Sequence, residues 1–146
     1  MPDINLFKYI LIPFDGSISS RRAINLGLGI SQAFGAKVAL VTVEESLPRF
    51  AADIGEIKEE QERQDAYCTR IQREARELAK LQNLDFERSD ILVGHVAQSI
   101  IIHAKAIQCD LIVMGHSGRS GVWGTFLGTT ADKVIRYAHC TVLVVR

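Results

Sequence analysis

No charge of either sign dominates this chain of 146 residues, in which Lys plus Arg and Asp plus Glu each number 17, for a formal net charge of zero. Attraction to nucleic acid or to an acidic membrane needs a one-sided excess of lysine and arginine, so either partner would require a local patch. Cysteine is scarce as well. Cys68, Cys109 and Cys140 form no Cys-x-x-Cys pair and leave an odd one over, which fits a reducing compartment and buried structural thiols better than a disulfide scaffold. No apolar run is long enough to cross a bilayer, and the opening Met-Pro-Asp-Ile-Asn has neither the basic flank nor the apolar core of a secretion signal. These absences lead to the expectation of a soluble, cytoplasmic protein with no membrane insertion and no nucleic-acid partner.

Several catalytic signatures are missing too. A Walker-type phosphate loop would need a lysine directly after its glycines, and none follows them here, which argues against strong phosphoryl transfer. A dinucleotide fingerprint should follow the first strand, yet Asp15-Gly16-Ser17 lacks it, and Gly27-Leu28-Gly29 falls inside a helical pattern where the glycines suit close packing on a sheet. Neither Ser117 nor Ser120 sits in Gly-x-Ser-x-Gly. His95, His103, His116 and His139 show no paired ligand spacing, so no metal held by protein ligands alone is expected. No residue presents itself as catalytic.

The sequence does hold an alternation of strand and helix patterns, in a length that suits one domain over residues 1–146. Tyr9 to Phe14 reads as a first strand, and Ser19 or Ser20 as the cap of a helix running to Gly35. Val38 to Val43 reads as a second strand. The polar connection from Glu44 to Gly55 shows no period. Glu56 to Gln82 then forms a long surface helix on the spacing of Tyr67, Ile71, Ala75 and Leu78, its many charges a solvated face. Phe86 to Val93 and Leu111 to Met114 are further strands on either side of a helix over Val96 to Gln108, and a helix with Val134, Ile135 and Ala138 on its apolar side precedes a last strand, Thr141 to Val145. This order implies an α/β fold: an open, five-stranded parallel sheet with helices on both faces.

In such sheets ligands bind beyond the carboxyl ends of the strands, where strand order reverses. Two strand ends carry unusual chemistry, Pro13-Phe14-Asp15-Gly16 and Met114-Gly115-His116-Ser117-Gly118. Nine residues after Gly118 comes Gly128-Thr129-Thr130 at a helix start, whose free N–H groups attract anions. Glycines admit a phosphate close to the main chain, and the threonine hydroxyls can reach phosphate oxygens or a magnesium ion. If strands one and four are neighbours, Asp15, a ribose acceptor, and the glycine loop share one crevice. Alone, the loop reads equally as a mobile turn with a threonine cap.

The Gly-x-x-Gly-x(9)-Gly-Ser/Thr spacing, the Pro-x-Asp-Gly-Ser strand end and the terminal His139-Cys-Thr-Val-Leu-Val-Val145 together resemble the universal stress protein family, over essentially the whole chain, and specifically its ATP-binding branch. The resemblance implies a three-layer sandwich of the adenine-nucleotide alpha-hydrolase type. It implies adenine and ribose near Pro13, Asp15 and Val43, with Met114 and Gly115 beside them, and phosphates at Gly118, Gly128, Thr129 and Thr130. Two positions depart from the family pattern: Thr129 replaces serine and keeps the hydroxyl, and Thr130 replaces valine. Arg119 and Gly94 are looser matches for extra contacts.

The resulting expectation is a regulatory protein of the stress response that binds ATP, with ADP or AMP as further ligands and magnesium carried by the phosphates. Nucleotide occupancy would order the Gly115 to Gly128 loop and alter what an unknown client protein meets. A slow ATPase or self-phosphorylating enzyme, and a nucleotide-free interaction module, stand as alternatives. The unbroken β-branched strand Thr141 to Val145 would expose a sheet edge that a second copy can cover, and the resemblance likewise implies a homodimer through this strand.

Overall fold

Short apolar runs alternating with amphipathic helices produce nine elements in a computed structural model that describes residues 5–46, 53–118 and 127–146. They are β1 (Tyr9–Pro13), α1 (Ile18–Phe34), β2 (Lys37–Glu45), α2 (Ile54–Leu81), β3 (Arg88–Gly94), α3 (Val96–Ile107), β4 (Leu111–Gly115), α4 (Thr129–Tyr137) and β5 (Thr141–Val145). All five strands run parallel in the order β3-β2-β1-β4-β5. The chain winds outward from β1 to β3, then returns to pair β4 against the other side of β1, so the reversal of strand order falls between β1 and β4, as the sequence anticipates.

Alternation along the central strands sorts the core into two layers. Ile10, Ile12, Phe14, Val38, Leu40, Leu111 and Val113 pack with Ala23, Ile24 and Leu28 of α1 and Ile71, Ala75 and Ala79 of α2. Leu11, Ala39, Val41, Ile112 and Met114 pack on the other face with Ala97, Ile100 and Ala104 of α3 and Ala131 and Val134 of α4. Burying a large aliphatic side chain is worth about 1.5–3 kcal/mol, so these double-faced runs dominate the stability. The long helix α2 buries the stripe the sequence marks, with Tyr67 and Leu78 half-buried beside Ile71 and Ala75.

Local details depart from the sequence reading in four places. The cap of α1 is Ser17, whose side chain accepts from Ser20 N; Ser19 and Ser20 lie inside the helix, and both are buried. Of the two α1 glycines only Gly27 admits the sheet, since a Cβ there would come within 2.5 Å of Ile12 Cδ1, whereas Gly29 meets nothing and faces outward. Ile135 is about half exposed rather than part of the α4 core face. Finally β2 is longer than its apolar run, taking in Glu44 and Glu45 before the connection begins. Pro48 lies outside the described residues.

Candidate functional site

The end of β1 is held by a set of turn contacts written in Asp15-Gly16-Ser17. Asp15 Oδ1 accepts from Ser17 N at 2.9 Å, closing an Asx turn that feeds α1, and the Tyr67 hydroxyl of α2 donates to Asp15 O at 2.7 Å. Gly16 takes φ +81°, where a side chain is strained. Next door, Gly115 ends β4 directly against the first turn of α1. A Cβ on it would lie 2.7 Å from Ser20 N and 2.8 Å from Ser19 C. The absence of a side chain there allows Ser19 Oγ to donate to Ser117 O at 2.5 Å, which ties the chain after β4 to α1.

Gly118 follows, and its position is such that a Cβ would stand 3.1 Å from Asp15 Oδ2. The carboxylate and the glycine are thus brought side by side across the β1/β4 pair. Gly128 closes the other end of the loop. Its N–H donates to His116 O at 2.9 Å, and a Cβ would again be 2.9 Å from that oxygen. The loop is therefore pinched at its base between His116 and Gly128. Arg119 and Ser120 lie outside the described residues.

The remaining expected residues are on the same end of the sheet. Pro13 sits opposite Val41 in the register, two residues before Val43, and Met114 lies one residue before Gly115. Val43 and Met114 belong to the layer shared with α3 and α4, and alternation from Leu11 puts Pro13 on that face too. Three apolar side chains thus share one face at the carboxyl ends of β2, β1 and β4, Pro13 and Met114 buried and Val43 half-buried. Thr129 and Thr130 open α4, with Gly128 as an N-cap that supplies no side-chain hydrogen bond.

Beside them is a cavity of about 530 Å³ lined by Glu45, Ser46, Gly94, His95, Val96, Ala97, Gln98, Thr129, Thr130 and Lys133. It lies past the ends of β2 and β3, between the starts of α3 and α4. The α3 N-cap, His95, likewise makes no side-chain cap hydrogen bond. Two helix N-termini of the same polarity converge on the cavity, each carrying roughly half a positive charge, Lys133 adds a full one and Glu45 subtracts one, leaving a net positive field. The arrangement suits a polyanion. Of the lining residues, Gly94, Thr129 and Thr130 are legible in the sequence. Lys133 could have been found as the cation one helical turn beyond Thr129; the His95 to Gln98 wall comes from a different crossover and leaves no local signal.

One titratable group near this end is perturbed. Glu44 is buried beneath α2, where Gln61 Nε2 donates to its Oε2 at 3.0 Å. Burial first, and then a hydrogen bond and the like charge from Asp65, push its carboxyl above the usual range. It faces α2 and not the cavity, which gives it a structural place.

Known proteins match nearly the whole chain. The model of the universal stress protein family matches residues 6–146. A Thermus aquaticus protein described as a universal stress protein in the QAH/OAS sulfhydrylase 3′ region is 34% identical over 143 residues, covering 97% of this chain and all of the relative. Among solved structures, the universal stress protein UspA of Lactobacillus plantarum superposes with a TM-score of 0.82 at 23% identity, over 95% of this chain and 97% of the other. A universal stress protein in complex with cAMP superposes with a TM-score of 0.74 at 27% identity, over 96% and 97% of the two chains.

Proposed function

Because this chain belongs to the universal stress protein family, we propose that it is a regulatory protein whose ligand is an adenine nucleotide, ATP above all, with ADP or AMP as its lower-phosphate forms. The observation that carries the reading is the meeting of Asp15 with Gly118 at the β1/β4 reversal, next to two uncapped helix N-termini. Pro13, Val43 and Met114 form the apolar seat for the base, and Asp15 accepts from ribose hydroxyls. The amides at Gly118, Thr129 and Thr130 donate to phosphate oxygens, Gly128, its own N–H held by His116 O, lets a phosphate approach the main chain, Gly115 brings α1 close enough to hold the loop base, and Lys133 neutralises the charge of the outer phosphates. Magnesium enters on the phosphates. A relative at 27% identity crystallised with cAMP supports the adenine class.

The regulatory part follows from where the phosphates sit. They bridge Gly118 and Gly128, the two ends of one loop, so occupancy changes the surface that loop offers a client protein, through unequal affinity for the two states. The whole chain acts as one nucleotide-binding domain in the cytoplasm, and two copies pair through β5.

Isothermal titration of nucleotide-stripped protein with ATP and magnesium tests the site. Saturable one-to-one binding is expected, lost in a Gly118→Val, Gly128→Val double variant. Because the valine at position 128 would press on His116 O, an Asp15→Ala variant provides a second reading, with weakened binding and an unchanged circular dichroism spectrum. Absence of heat with ATP, ADP, AMP and cAMP alike would refute the proposal.

A further inference from the structure

At the opposite pole of the sheet, three metal-binding side chains come together that lie far apart in the sequence. Cys109 precedes β4 and Cys140 precedes β5, and the pairing of Leu111 with Thr141 sets the two cysteines side by side. Their sulfurs are 3.9 Å apart. A ring nitrogen of His139 completes a set in which every ligand atom is within 4.8 Å of the others. We propose that Cys109, His139 and Cys140 bind a zinc ion, with water in the fourth position.

The distances decide between this and simpler readings. Zinc–sulfur bonds of about 2.3 Å at a tetrahedral angle put two sulfurs roughly 3.8 Å apart, so the thiols already stand at the span zinc requires. The same geometry asks for sulfur-to-nitrogen spans of roughly 3.6 Å, and the ligand atoms of the exposed His139 and the two thiols already lie within 4.8 Å of one another. A disulfide would instead need the sulfurs to close to about 2.05 Å, and would leave the imidazole without a part. Two thiols serving only as apolar filler would not call for a histidine beside them.

The surroundings fit a cation. His139 Nε2 meets Cys109 O at 2.9 Å; as a donor there it leaves the lone pair on the other nitrogen, and a hydrogen bond from the non-ligating nitrogen is what orients most zinc-bound histidines. Zinc binding releases two protons, one from each thiol, as the thiolates form. Soft sulfur donors with one imidazole select zinc over magnesium or calcium. Cys109 is buried, Cys140 half-buried and His139 exposed, which gives the ion a path from solvent. Once bound, it would fasten the turn before β4 to the turn before β5.

The test uses reduced, metal-stripped full-length protein titrated anaerobically with zinc against a chromophoric chelator. One equivalent per chain is expected, with both thiols then shielded from a thiol reagent. Cobalt in place of zinc should give a thiolate-to-metal charge-transfer band. Cys140→Ser should abolish uptake, and Cys68→Ala should leave it intact. As Cys140 contributes to packing, His139→Gln provides a surface variant that should fold normally and weaken binding more than about tenfold, the lower end of what losing an outer-shell partner costs. No uptake, uptake unchanged in both site variants, or cobalt loading without the charge-transfer band would overturn the proposal.

Discussion

A methyl group added at Gly115 would land on the backbone of α1, while the same group at Gly29 would project into open space. The two substitutions should therefore move stability in opposite directions. At Gly115 the new carbon would be 2.7 Å from Ser20 N and 2.8 Å from Ser19 C, atoms of a helix start that cannot swing aside like a side-chain tip. Relief requires α1 to move off β4, which strains the Ser19–Ser117 contact and loosens packing around Ile24. Overpacking of this kind costs about 1–3 kcal/mol. At Gly29, an exposed position inside α1, alanine raises helix propensity and restricts the unfolded chain, a gain of about 0.5–1 kcal/mol. An unfolding entropy near 2.1 cal/mol/K per residue makes each kcal/mol worth about 3 °C in a chain of this size. Gly115→Ala should thus lower Tm by roughly 3–10 °C and Gly29→Ala raise it by roughly 2–3 °C. Reversible thermal unfolding followed by circular dichroism, with nucleotide removed, reads both. Equal shifts of the same sign would refute the steric account of Gly115.

Glu44→Gln should stabilise the protein near neutral pH and change little in acid. The folded-state carboxyl is raised by burial and by Asp65, so the folded chain holds a proton that the unfolded chain has released once pH exceeds the ordinary carboxylate value, and stability falls as pH rises through that window. Denaturant unfolding over a pH series checks this, and a wild-type-to-variant difference that stays constant with pH would contradict it. For the pairing through β5, sedimentation at micromolar concentration should show a dimer, and a species that remains monomeric would exclude that edge as an interface.

Much of the fold is legible because its strands are buried on both faces: Ile10 to Ile12, Val38 to Val41 and Leu111 to Val113 announce themselves as short apolar runs between turn signals. The reversal at β1/β4 also follows from chemistry, since Asp15 and Gly118 make sense together only if those strands are neighbours. What escaped reading depended on third dimensions or on phase. Ser17 outcompetes Ser19 and Ser20 as cap because the Asx turn of Asp15 sets the helix start two residues earlier than apolar spacing suggests. Gly27 and Gly29 look alike in sequence, yet only Gly27 shares the helical face of Ala23 and Ile24, a distinction the spacing did contain. The His95 to Gln98 wall and the juxtaposition of Cys109 with His139 and Cys140 depend on which helices and strands become neighbours. Ligand spacing along the chain cannot reveal such a cluster.

The strand order also sets a schedule for synthesis. β1 is the central strand and is made before its neighbours: β2 follows after one helix, and β3, which pairs with β2, only after α2. The other edge of β1 has to wait for β4, about 100 residues later. At elongation rates of about 5–20 residues per second the nascent chain carries a β1 edge of unpaired backbone N–H and C=O groups, with apolar side chains on both faces, for roughly 5–20 s. During that interval the future ligand crevice is a bare sheet margin, and the half-made protein is at its most adhesive.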